Sequence, residues 1–247
     1  MSQDRSGFFR RLLQTRSHNV LPALSAVSPE KMQGEAFIRQ LLKEAKSEDG
    51  WDAPLLQTRF VVVDTETTGF NPSFDVLISI GAVEMHGDRI ELGNPYHSLI
   101  RPEFDRFIPA VVTKLTGITN EQAAAAPDIK LVLQQFLEYA KDGVLVMHHA
   151  SHDIRFLNAA LWRFSRAHLT HRILDTHDVA KWLHPRWNQY GLDDLLQTYQ
   201  IPVLGRHTAL GDAKMTAELW KRLLTESIAK GIETFGELRE QMVLANR

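Results

Sequence analysis

The stretch Phe60-Val61-Val62-Val63-Asp64-Thr65-Glu66-Thr67-Thr68-Gly69 decides how the rest of the chain is read. Its apolar, β-branched opening reads as a buried strand. The run ends on two carboxylates spaced i, i+2, and side chains alternate across a strand, so Asp64 and Glu66 project from one face. Two carboxylates about 4 Å apart repel by roughly 4 kcal/mol at an effective dielectric of about 20. Such a pair calls for a cation, and a set of oxygen ligands suits the hard divalent ions Mg²⁺ or Mn²⁺. Taken alone, an Asp-x-Glu at a strand end is more often a solvated edge or a cap.

Two further clusters change that balance. Val144-Leu145-Val146-Met147 is a second short apolar strand, followed by His148-His149-Ala150-Ser151-His152-Asp153 and an amphipathic helical run from Ile154. Asp153 then sits near a helix start, where the helix dipole favours negative charge. Arg206-His207-Thr208-Ala209-Leu210-Gly211-Asp212-Ala213 reads as a loop running into a helix, with Asp212 in the first turns and His207 on the approach. An Asp in a first helical turn is usually only a cap. Three clusters in this order, each at a junction of elements, are hard to obtain by chance.

These motifs resemble the DEDDh 3′→5′ exonucleases, the family that includes the proofreading epsilon subunit of bacterial DNA polymerase III. The similarity spans roughly residues 59–224. It takes in Leu115-Thr116-Gly117-Ile118-Thr119-Asn120, similar to the family's substrate-side turn, Leu174-Asp175-Thr176, and Gly191-Leu192-Asp193-Asp194-Leu195. Carried over residue by residue, the resemblance makes Asp64, Glu66, Asp153 and Asp212 the catalytic carboxylates that bind two Mg²⁺ or Mn²⁺ ions, and His207 the general base. Imidazole suits that role because it ionises near neutral pH. Thr67, Thr68 and Gly69 follow the carboxylates, where backbone and hydroxyl can approach the terminal nucleotide. His149 stands where the epsilon-type pattern usually has Asn and is expected to face the substrate; His152 stands where it usually has Phe.

The implied activity is metal-dependent hydrolysis at nucleic-acid 3′ ends, releasing 5′-mononucleotides. DNA is favoured because residues 115–120 and 207–213 look closest to the polymerase-associated branch. An RNA-trimming relative uses the same five residues. A non-catalytic nucleic-acid or partner-binding module on the same fold would show a missing carboxylate, and none is missing.

With 247 residues, 44% of them hydrophobic, the chain can hold one α/β domain of ordinary size plus an extension. A formal charge of −2 argues against a broadly basic, nucleic-acid-coating surface. It is compatible with an enzyme whose metals meet the phosphate. The absence of cysteine excludes disulfides and thiolate metal sites. Zinc is not expected: His148, His149 and His152 lie across a strand-to-helix turn, and a closed zinc site needs four ligands. No run approaches about 18 apolar residues, and Arg10-Arg11 interrupts the apolar N-terminus, so a cytoplasmic protein without membrane spans is expected.

The expected fold is α/β, by resemblance a ribonuclease H-like mixed five-stranded sheet flanked by helices, with an N-terminal helical extension. Its divisions are an extension over 1–57, an exonuclease domain over 58–226 and a C-terminal helix over 227–247. Strands over 61–65, 76–85 and 89–100 read as an antiparallel meander. A helical region follows over 109–140, with core faces at 123–126 and 131–137. Strand 144–147, helix 153–166, strand 172–175 and later helices give the alternating half. Within the extension, Phe37, Ile38, Leu41, Leu42 and Ala45 recur at helical spacing. That face is expected to pack on the catalytic domain or a second copy, with a partner-docking arm as the alternative. Phe8-Phe9-Arg10-Arg11-Leu12-Leu13 forms a basic amphipathic tip that membrane surfaces could attract. Asp175 and Asp193 read first as helix caps, and Trp182, Trp187 and Tyr190 as packing around Pro185 rather than base-stacking groups. Ending at Arg247, the sequence is expected to lack the long tail that ties a proofreading subunit to its polymerase.

Overall fold

The computed structural model describes residues 29–46 and 51–245. The Phe8–Leu13 tip lies outside them. In chain order come α1 (Pro29–Ala45), β1 (Arg59–Thr67), β2 (Leu77–His86), β3 (Arg89–Leu99), α2 (Ala110–Thr116), α3 (Asn120–Ala124) and α4 (Ile129–Ala140). Then follow β4 (Val144–Met147), α5 (Ser151–Ser165), β5 (Ile173–Asp175), α6 (Thr176–Leu183), α7 (Leu192–Thr198), α8 (Ala209–Ala229) and α9 (Phe235–Ala245). The five strands form one sheet ordered β3-β2-β1-β4-β5. β1, β2 and β3 are the antiparallel meander, while β4 pairs parallel to β1 and β5 parallel to β4. β1 therefore lies mid-sheet, where Phe60, Val61, Val62 and Val63 are all buried.

Alternation along β1 assigns its side chains to two different cores. Phe60 and Val62 face a cluster with Val146, Leu174, Leu195, Trp220 and Phe235, which brings in α6 to α9. Trp220 meets the Phe60 ring edge-on, centroids 5.2 Å apart. Val61 and Val63 face the opposite cluster, where Ile38 and Leu42 of α1 join Val132, Phe136, Phe156 and Leu157 of α4 and α5. α1 thus uses its apolar face against the catalytic domain itself, and Arg39 donates to the Ser165 carbonyl at 3.2 Å. By the same alternation Asp64 and Glu66 belong to the α8 side, and Thr65 to the α5 side.

The helical region over 109–140 is broken into α2, α3 and α4. Gly117 closes α2, a Thr119/Gln122 capping box starts α3, and Asp128 caps α4 after Pro127. Leu131, placed in the core by the sequence reading, is 47% exposed, because the buried stripe of α4 runs through Ile129, Val132, Leu133, Phe136, Leu137 and Ala140. Ala124 and Ala125 are likewise exposed, leaving Ala123 and Ala126 buried. α8 continues unbroken to Ala229, past the division drawn at 226, and Phe235 and Leu238 of α9 sit in the same core as Trp220. Among the described residues no helix is long and apolar enough to cross a membrane.

Candidate active site

β1 delivers Asp64 and Glu66 at its carboxyl end, and one glycine decides what meets them. Asp64 pairs in register with Gly81 of β2. A Cβ on Gly81 would lie 2.3 Å from the backbone of Ala209 and Leu210, so its absence lets the first turn of α8 rest on the sheet. Gly211 makes a second close approach: a Cβ there would fall 2.0 Å from the Gly205 carbonyl oxygen. Thr208 caps α8 by accepting from the Gly211 amide at 3.2 Å, and its hydroxyl donates to the Gly205 carbonyl at 2.6 Å. These contacts fix Asp212 opposite β1. Carboxylate oxygens of Asp64, Glu66 and Asp212 come within 4.8 Å of one another.

Asp153 arrives from the other side of the sheet, on the first turn of α5. Thr65, pointing that way, donates its hydroxyl to Asp153 Oδ1 at 2.6 Å. The turn before α5 is pinned by Asp175, whose carboxylate accepts from the amides of His149 and Ala150 at 3.0 and 2.8 Å. The same group caps α6 through the His177 amide at 3.0 Å. Asp175 is thus a helix cap, as its sequence suggested, and also a clamp on the loop that carries Asp153.

The electrostatics follow from crowding like charges in a desolvated place. Burial, then repulsion from Asp153, Asp212 and Glu66, holds the Asp64 carboxyl well above the ordinary carboxylate range. Glu66 is pushed up to about 7, first by burial and then by Asp212 and Asp153. Burial raises Asp153 to about 7 against the Thr65 hydrogen bond. Asp212 is also raised by burial, opposed by Arg206 and by hydrogen bonding from the His207 main-chain amide. Asp212 Oδ1 is buried without a hydrogen-bond partner. An orphaned carboxylate oxygen among raised carboxyls fits a bound cation, and all-oxygen ligation fits a hard one.

His207 stands at the mouth of α8 with φ 62, a left-handed conformation that is uncommon for a non-glycine residue. Of the residues expected near substrate, Thr67 donates to the Gly69 carbonyl at 2.6 Å and lies 3.3 Å from His152 Nε2. Thr68 is buried: its hydroxyl donates to Asp75 Oδ1 at 3.2 Å and accepts from the Val76 amide at 3.0 Å. That hydroxyl holds the turn after β1 and is not presented to solvent. Phe70, next along, is 85% exposed and edge-on to His152. His149 is exposed at φ 56, with its ring 4.5 Å from that of His177. His148 bonds Thr176 Oγ1 at 2.9 Å, and burial drives its imidazole down to about 3, so it stays neutral. Trp187 stacks on His184 at 3.8 Å and packs, with Trp182 and Tyr190, against the α8-side core.

Sequence reasoning missed Arg206 and the part played by Asp193. Asp193 is no cap, since Gly191 holds that position in α7; its carboxylate accepts from Arg206 Nε at 2.7 Å. Arg206 also bonds Asp212. The signal lay in the quoted cluster itself, where a cation directly precedes His207.

A mixed sheet with three carboxylates converging at the end of its central strand defines a ribonuclease H-like nuclease fold. Residues 61–220 match the exonuclease family RNase_T, and the chain belongs to that family. The DNA polymerase III subunit epsilon of Aquifex aeolicus is 34% identical over 172 residues, covering 70% of this chain and 83% of that protein. The PolC-type DNA polymerase III of Bacillus subtilis is 32% identical over 193 residues, 78% of this chain. The chain spans only about 13% of that polymerase's length. Among solved structures, the nuclease domain of 3′hExo, a DEDDh family member bound to rAMP, superposes with a TM-score of 0.63 at 21% identity, covering 74% of this chain and 97% of that one. Exonuclease X in complex with 5′-overhanging duplex DNA gives 0.57 at 25% identity, covering 76% and 99%.

Proposed function

We propose that this exonuclease removes 5′-mononucleotides from the 3′ end of DNA in the cytoplasm, using two Mg²⁺ or Mn²⁺ ions held by Asp64, Glu66, Asp153 and Asp212. The observation that carries this reading is the grouping of Asp64, Glu66 and Asp212 oxygens within 4.8 Å of one another, with Asp212 Oδ1 buried and unpartnered. Bound there, the ions would polarise the attacking water and offset charge on the phosphate and the departing 3′ oxygen. The chain's own groups do the rest. Asp64, Glu66 and Asp212 would hold the ions from the α8 side, and Asp153, steadied by the Thr65 hydroxyl, from the α5 side. His207 takes the proton of the attacking water as the phosphorus–O3′ bond breaks and the oxygen leaves. Thr67, Gly69 and His149 edge the site where the terminal nucleotide would lie. DNA is supported over RNA by the relatives, which are DNA polymerase III proteins.

The test is an assay of matched 3′-labelled single- and double-stranded DNA and RNA with Mg²⁺ or Mn²⁺. Mononucleotide products from DNA ends are expected. Oligonucleotide products would mean internal cleavage, and faster RNA trimming would move the substrate to RNA. Binding without hydrolysis in either metal would leave a non-catalytic module.

A further inference from the structure

Asp212 presents two oxygens with different surroundings. Oδ1 is buried and unpartnered, while Oδ2 accepts from Arg206 Nη1. The same guanidinium reaches Asp193 with Nε at 2.7 Å and Nη2 at 3.3 Å. The Asp193 side chain is 68% exposed, that of Asp212 6%. Arg206 thus spans from a solvated carboxylate to one inside the cluster, a reach that suits the planar fork of arginine and not the single ammonium of lysine. The guanidinium also draws the Asp64, Glu66 and Asp212 carboxyls down against their crowding, joined at Asp212 by His207.

We infer that Arg206 is a positioning residue that serves as the site's built-in counter-ion: it shares Asp212 with the incoming divalent ion and is held in reserve on Asp193. A metal ion taken up at Oδ1 and the guanidinium at Oδ2 compete for the charge of one carboxylate, so metal loading weakens the Nη1 contact. The Nη1 contact to Asp212 gives way while the Nε contact to Asp193 persists. The tether keeps the arginine beside His207 throughout, and the carboxylates are never left without a positive charge. Metal affinity is thereby set below what the four acids alone would give, which keeps loading reversible.

This inference rests on the metal reading above, and calorimetric titration of Mn²⁺ into the wild type and Arg206→Gln separates the two. The variant is expected to bind Mn²⁺ roughly 2- to 5-fold more tightly, the weight of one ion pair that solvent still reaches. Equal or weaker binding by the variant overturns this competition and leaves the metal site standing. Failure of the wild type to bind Mn²⁺ removes both. Arginine side-chain NMR of the unaltered protein during a Mg²⁺ titration gives a second readout, independent of how the variant folds. The Arg206 Nη signals should move while its Nε signal holds. Unmoved Nη signals at metal saturation would overturn the inference.

Discussion

Strand β1 carries charge at both ends, and the ends are built in opposite ways. At its start, Arg59 donates to both oxygens of Glu84 at 2.7 and 3.1 Å, and to the carbonyls of Ala140 and Tyr139 at 2.6 and 2.8 Å. Glu84 is held below the usual carboxylate range, chiefly by that hydrogen bonding. At the other end, Asp64 and Glu66 face Asp212 with an oxygen left over, and each of the three carboxyls is raised. The first end closes its charges on themselves and so joins the sheet to α4. The second gathers three carboxyls around one guanidinium, that of Arg206, an excess of negative charge that costs stability unless a further cation arrives. The difference separates a charge that supports the fold from one left available to a ligand.

Asp64→Ala should produce the largest effect, because it removes a carboxylate to which the proposal assigns the ions. Hydrolysis is expected to fall by more than about 10³-fold with the circular dichroism spectrum unchanged. Residual activity above roughly a hundredth of wild type would break the assignment. His207→Ala comes next, with a rate loss of roughly 10²-fold and Mn²⁺ binding retained, since a general base acts on the water and not on the ions. Lost Mn²⁺ binding in that variant would place His207 among the ligands instead.

The opposite end of β1 should respond in the opposite currency. Arg59→Ala is expected to lower unfolding stability by about 2 kcal/mol in urea titrations, because it removes the donor shared by Glu84, Ala140 and Tyr139, leaving His86 on Glu84 and the Gly143 amide on the Ala140 carbonyl. Turnover per folded molecule should not change. A stability loss below about 0.5 kcal/mol would make this an ordinary surface pair.

A pH dependence sets the two ends apart without a large change in rate. In the metal-free protein, Glu66 and Asp153 hold protons up to about 7, whereas the unfolded chain releases them near 4. The folded state therefore binds more protons between those values, and its stability is greatest below about 4 and declines as pH rises through about 7. A melting temperature that drops by a few degrees from pH 5 to 8 is expected without metal. Asp64→Asn/Asp212→Asn should flatten the curve. Mn²⁺ at about 100 times its dissociation constant should add about 2.7 kcal/mol to the wild type and little to the double variant. Equal Mn²⁺ shifts in both proteins would place the ion elsewhere.

Much of the fold was legible because its signals are local. The apolar runs ending at Thr65 and Met147 read as strands, and the meander, β4 and β5 lie within a few residues of their expected places. The region over 109–140 reads as helical, with a turn at 115–120 by resemblance, and its apolar residues alone draw no helix bounds inside it. Gly117, Thr119 and Asp128 instead end or start helices through their own backbone and side-chain bonds. The core of α4 was misjudged at Leu131 for a related reason: several stripes of an apolar helix look equally suitable until a neighbour selects one.

By itself the sequence determined the chemistry available at each junction: two carboxylates on one face of β1, one in the first turn of α5, and one in the first turn of α8 beside a histidine. Those placements depend on the periods of strand and helix, which consecutive residues carry. Only the tertiary structure decided that the carboxylates meet, through the close approach of α8 over Gly81, the Thr65 bond to Asp153 and the clamp of Asp175. Only it made Arg206 the partner of both Asp193 and Asp212, and turned the Thr68 hydroxyl inward to Asp75 and Val76. A side chain's partner is set by the packing of distant segments, and no local period encodes which segments those are.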